Sequence, residues 1–184
     1  MLPRLSSELK SKKWLTTREL VIFAMLGALM FVGDIAFEWA PNVHPIAMLL
    51  MVYTVAFRKK GIIPFIIYIV LQAVFFGGLW LVPYLYIFPL CWLCTLAVSE
   101  KLSRVPRQIC YTVICTLFGL LFGALYAPFH VIVFMKSFSV SKMLAWIASG
   151  ITFDIIHAVG NFAASFLIIP LADLLRKINK TKTA

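Results

Sequence analysis

The run Ala145-Trp146-Ile147-Ala148-Ser149-Gly150-Ile151-Thr152-Phe153-Asp154-Ile155-Ile156-His157-Ala158-Val159-Gly160-Asn161-Phe162-Ala163-Ala164-Ser165-Phe166-Leu167-Ile168-Ile169-Pro170-Leu171 is apolar for longer than the roughly 20 residues a helix needs to cross a bilayer. Inside it stand Asp154, His157 and Asn161, spaced three and four apart, so on a helix they fall along one face. An Asp at the centre of a membrane helix costs roughly 2.5–3.5 kcal/mol on insertion scales, and such a group normally turns towards a bundle interior, a cavity or a partner. The stripe therefore predicts a multi-helix membrane protein with a polar seam.

Composition agrees. The chain has 184 residues, 62% of them hydrophobic and only 13% charged, which is too apolar for an ordinary soluble domain. The expected fold class is an all-α membrane protein, a six-transmembrane-helix bundle with both termini cytoplasmic. Spans are expected at about 18–38, 45–57, 61–81, 84–99, 108–127 and 142–175. Around a single membrane domain, 17–176, lie a basic cytoplasmic segment, 1–16, and a basic cytoplasmic tail, 177–184. The first apolar run is too long for a signal peptide and lacks a small-residue cleavage site, so it is expected to stay as an anchor. The second span is short enough to be re-entrant on length alone, and charge argues that it crosses. With six crossings, one side carries Arg4, Lys10, Lys12, Lys13, Arg18, Arg58, Lys59, Lys60, Lys101, Arg104, Arg107, Arg176, Lys177, Lys180 and Lys182. Only Lys136 and Lys142, of 17 basic residues, are left for the other. Such an asymmetry is the positive-inside pattern, and it accounts for the net charge of +10 through lipid rather than nucleic acid.

The basic connections are too short to hold a folded domain, and no Walker A loop or GxGxxG is present, so the chain has no phosphate cradle of its own for ATP. Cys91 and Cys94 form a CxxC without a second pair or a nearby His, so no metal site is expected, and these two, Cys110 and Cys115 read as small core residues. The connections on the other side are richer. The first is Glu38-Trp39-Ala40-Pro41-Asn42-Val43-His44-Pro45, and the second centres on Trp80, Pro83, Tyr84 and Tyr86. The third runs from about Pro128 to Lys142 and contains His130. Aromatics there form either an interfacial belt or the mouth of a small-molecule site. Asp34 and Glu38, one turn apart, read as interfacial acids, Asp34 being the deeper. Ala24, Gly27 and Ala28 in the first span, and the Gly119-xxx-Gly123 pair in the fifth, allow close helix approach within the chain or with a partner.

For Asp154, His157 and Asn161 the structural reading is an interhelical clasp; the functional ones are substrate binding, a proton relay, a metal site, for which the sequence shows no third ligand, or catalysis. An intramembrane hydrolase is the less expected alternative. Phe153 to His157 and His157 to Asn161 match FxxxH and HxxxN patterns found in intramembrane prenyl-protein proteases, but that family needs an adjacent Glu pair as general base and this chain has none.

Six spans, cytoplasmic ends, the Ala24-xxx-Ala28 pair and a last helix containing Gly150-Ile151-Thr152-Phe153-Asp154-Ile155-Ile156-His157-Ala158-Val159-Gly160-Asn161 together resemble the substrate-binding S component of energy-coupling factor (ECF) vitamin transporters. The resemblance implies a subunit that is not an enzyme, has no covalently bound cofactor and captures a vitamin at the outer face of a bacterial cell membrane. It implies partners too: a transmembrane coupling subunit, docked through Ala24, Gly27 and Ala28, and two cytoplasmic ATPases. Candidate substrate contacts are then Trp39, Asn42, His44, Trp80, Tyr84, Tyr86, His130, Asp154, His157 and Asn161. The outer half has acids and no arginine, which disfavours a polyanionic cargo. The overall pattern resembles the cobalamin-type S components of lactobacilli, with pantothenate, folate, pyridoxine and riboflavin as alternative cargoes. A stand-alone proton- or ion-coupled carrier is the alternative function.

Overall fold

Ile46–Phe57 has hardly a polar side chain on any face, and a helix apolar all round has no stable place except inside other helices. In the computed structural model, which describes residues 14–39, 44–101 and 104–180, that helix is the hub of an all-helical bundle with no strand among the described residues. Nine of its twelve residues are buried. Around this helix, α2, pack α1 (Thr17–Ala36), α3 (Ile63–Phe75), α4 (Tyr84–Lys101), α5 (Arg104–Phe129), α6 (Val140–Ser165) and α7 (Ile168–Lys180). The innermost side chains include Phe23, Met30, Leu50, Met51, Tyr53, Tyr68, Ile87 and Tyr111. Tyr53, the largest of them on α2, keeps its hydroxyl satisfied by donating to the Leu26 carbonyl at 3.3 Å.

Cross-contacts fix which ends of the helices meet. At one end Lys60 pairs with Glu19 at 2.6 Å, Arg58 stands 3.7 Å from Glu100, Arg18 donates to the Ile178 carbonyl, and Arg176 donates to the Val55 carbonyl. At the opposite end Asp34 meets His44, Tyr68 and Gln72, and the His130 ring stacks on Trp146. The helices α1 to α6 thus run alternately between the two ends, and α7 packs at the first, against α2. Four stretches are individually long and apolar enough to cross a membrane: Thr17–Ala36, Leu79–Lys101, Pro106–Phe134 and Val140–Ser165. Outward faces of α1, α5 and α6 present Val21, Met25, Leu29, Val113, Leu117, Leu121, Ile151, Ile155 and Val159. Apolar surface of that extent suits lipid rather than water.

Several boundaries differ from expectation. The last span, expected as 142–175, ends at Ser165, and α7 is a separate amphipathic helix. Pro170 explains the break: it has no N–H to give to the carbonyl four residues back, and it is tolerated in the first turn of a new helix. Ser165 also turns its hydroxyl to the Phe162 carbonyl and Thr112 Oγ1 at the break. The third span, expected to reach residue 81, stops at Phe75, because Gly77 and Gly78 take φ values of 58° and 105°, a left-handed turn that glycine makes without strain. The fifth runs on past 127 through Phe129 into a π-helical turn, His130–Phe134, so the connection between α5 and α6 is shorter than its sequence suggested. Cys91 and Cys115 are core residues as expected, whereas Cys94 is exposed.

Candidate functional site

The feature that organises the end opposite the basic one is a carboxylate. Asp34 lies in the last turns of α1, with its side chain 17% exposed, and three donors from two other segments converge on it. His44 Nδ1 donates to Oδ1 at 2.9 Å; the Tyr68 hydroxyl and Gln72 Nε2 reach Oδ2 at 2.9 and 2.7 Å. Tyr68 and Gln72 are one turn apart on α3, so helical periodicity alone puts both on the face that meets α1. Hydrogen bonds to an ionised acceptor are the stronger kind, and three of them hold the acid in one geometry.

Asp34 stands between two lobes of a cavity. The inner lobe, about 90 Å³, is walled by Ile46, Ala47, Tyr68, Tyr84, Phe88, Phe122 and His157 together with Asp34 and His44. The outer lobe, about 330 Å³, adds Ile35, Glu38, Gln72, Phe76 and Trp80, and shares Asp34, His44 and Tyr84 with the inner one. Aromatic rings tile the wall: Trp80 to Tyr84 at 5.7 Å, Tyr84 to Phe88 at 5.1 Å and Phe122 to His157 at 5.4 Å between centroids. Two carboxylates line the lobes and no Lys or Arg does. A mostly aromatic cavity with a few directed polar groups is the usual make-up of a small-molecule site. The described residues that line the lobes include no Ser, Thr or Cys; the hydroxyls there belong to Tyr68 and Tyr84, and that of Tyr68 is engaged with Asp34.

The sequence-derived candidates divide. His44, Tyr84 and His157 line the inner lobe, and Trp80 lines the outer one. Tyr86 faces away, its hydroxyl donating to the Leu125 carbonyl at 3.0 Å. His130 stacks on Trp146 at 3.6 Å outside both lobes, and Trp39 is 81% exposed. Asn42 lies outside the described residues.

The α6 stripe divides in the same way. His157 faces the cavity, with its ring 6.3 Å from that of His44. Asp154 instead faces α5, accepting the Gly123 main-chain N–H at 3.1 Å, and Asn161 is buried against Gly119. Hence the GxxxG of α5 serves contact inside the chain, seating the polar side chains of α6. In the first helix, Ala24 and Ala28 are on the exposed face, but Gly27 is buried against Ile67 and the Pro64 carbonyl of α3, so its part in partner docking is corrected to internal packing. No metal-holding cluster of His, Cys, Asp or Glu occurs among the described residues.

Sequence reasoning passed over Tyr68, Gln72, Phe88 and Phe122, and it read Asp34 as interfacial. The available signal was Gln72, a lone amide in the apolar run from Ile62 to Phe76 and one turn from Tyr68. The chain matches no protein-family model, no curated protein and no solved structure.

Proposed function

We propose that this chain is a membrane-embedded binding subunit that captures a small organic molecule from the side opposite its basic end, as the S component of an ECF-type vitamin importer does. The observation that carries the proposal is the Asp34 carboxylate, fixed by His44, Tyr68 and Gln72 at the junction of two aromatic lobes. Binding is favoured by the make-up of the lobes, mostly aromatic with a few directed polar groups. In this reading all six passes cross a bacterial cell membrane with the termini inside, and a coupling subunit with two ATPases supplies the energy that this chain has no loop to harvest. Ala24 and Ala28, exposed on α1, are the docking positions.

Lobes of about 90 and 330 Å³ favour a compact cargo of one or two rings over a corrinoid. Among the vitamins considered, pyridoxine, a single uncharged-to-cationic ring, fits that size and the two lining carboxylates better than cobalamin. The test is calorimetric titration of the purified protein in nanodiscs with cobalamin, pantothenate, folate, pyridoxine and riboflavin, beside mass spectrometry of small molecules that co-purify. Saturable binding of one compound, lost in Asp34→Ala, is the expected result. Uptake by the chain alone in liposomes under a proton gradient would overturn the proposal in favour of a stand-alone carrier.

A further inference from the structure

A second cavity, of about 260 Å³, opens at the basic end, far from Asp34 along the bundle. Three guanidinium side chains line it, Arg58, Arg107 and Arg176, brought from the end of α2, the start of α5 and the middle of α7, against one carboxylate, Asp173. Its inner wall is a hydroxyl pair, Ser99 and Tyr111, 2.8 Å apart. Like charges gathered from three helices repel, and the chain neutralises them incompletely. Arg176 is paired with Asp173 at 3.1 Å and also donates to the Val55 carbonyl. Arg58 has only a long contact to Glu100, at 3.7 Å between two largely exposed groups. Arg107 has none: its Nε is buried and without a hydrogen-bond partner among the described residues. A buried guanidinium donor left unpaired costs on the order of 1–3 kcal/mol, more where charge is involved, and an arrangement of this kind is stabilised by an anion that accepts from it.

We propose that this cavity binds a phosphate group, held between Arg107 and the free edges of Arg58 and Arg176. Guanidinium forks match phosphate oxygens in pairs, which a point charge such as Lys does not. Val55 and Ile169 give the cavity apolar walls beside the arginines, the arrangement in which basic pockets between membrane helices take anionic lipid headgroups; a free phosphate has the same chemistry. The inference is independent of what the opposite cavity binds.

The test uses full-length protein in two nanodiscs, one of phosphatidylcholine alone and one containing phosphatidylglycerol, with inorganic phosphate titrated into the first. Thermal unfolding and native mass spectrometry are read for wild type, Arg107→Gln, Arg58→Gln and Lys59→Gln, the last an exposed cation that does not line the cavity. Phosphatidylglycerol retained on the protein and raising its melting temperature identifies a headgroup; protection by inorganic phosphate in phosphatidylcholine identifies a free anion. In either case Arg107→Gln and Arg58→Gln should weaken the effect on the order of tenfold, as for loss of a charge-assisted contact, and Lys59→Gln should retain it. Absence of protection by both probes would overturn the site. An equal loss in Lys59→Gln would overturn it too, by showing diffuse surface charge instead.

Discussion

The main-chain N–H of Gly123 on α5 donates to Oδ1 of Asp154 on α6 at 3.1 Å, and a Cβ on Gly123 would overlap the same carboxylate. One turn earlier on α5, a Cβ on Gly119 would stand 2.9 Å from Asn161 Nδ2. Two hydrogens in place of two methyls therefore let the polar side chains of α6 approach α5 closely.

Gly123→Ala should consequently destabilise the fold by about 1–3 kcal/mol, the usual cost of overpacking a close contact. Asp154→Asn keeps an acceptor at the same place and should cost less. Because Asp154 lines neither lobe at the Asp34 end, ligand affinity in Asp154→Asn should match wild type. Thermal unfolding and ligand titration on the same samples check both halves.

Asp34→Ala removes the acceptor of three hydrogen bonds at once and leaves partly buried donors unpaired, each at a cost of roughly 1–3 kcal/mol. Ligand binding should fall by at least about tenfold, the effect of roughly 1.4 kcal/mol. Tyr68→Phe removes one donor and leaves two, so its effect should be several times smaller. Calorimetry on the two variants gives the ratio.

His157 and Asn161, one turn apart on one helix, should respond differently. His157→Ala opens the inner wall beside Phe122 and should weaken ligand binding while leaving the helices assembled. Asn161→Ala changes a residue 2% exposed that lines neither lobe, and should show in the melting temperature rather than in affinity. Equal losses of affinity in both would place Asn161 on the ligand.

These contrasts also show where sequence reasoning reached and where it stopped. Periodicity identified Asp154, His157 and Asn161 as one polar face, and the face exists, but 3.6 residues per turn spread it wide enough for His157 to meet the cavity while Asp154 meets α5. Hydropathy found α1, α4, α5 and α6, because each is long and apolar. It could not see that Asp34 would find Tyr68 and Gln72, since that contact spans more than thirty residues and depends on how α1 packs on α3. The same packing decided Gly27. Small-residue spacing marks a close approach, yet it does not say which neighbour approaches, and here it is Ile67 of the same chain.

That distinction can be tested on α1 alone. A side chain at Gly27 would meet the Ile67 side chain at 2.7 Å and the Pro64 carbonyl at 2.9 Å, so Gly27→Leu should separate α1 from α3 and lower both melting temperature and ligand affinity, since Asp34 and Gln72 sit on those two helices. Ala24→Leu with Ala28→Leu adds bulk on the exposed face and should leave melting temperature and affinity near wild type. If the chain docks a coupling subunit through that face, the double variant should still bind its ligand and yet lose uptake when expressed with the ATPase module. Full uptake in the double variant would move the docking surface elsewhere on the bundle, while a folded, ligand-binding Gly27→Leu protein would contradict the α1–α3 packing on which the Asp34 site depends.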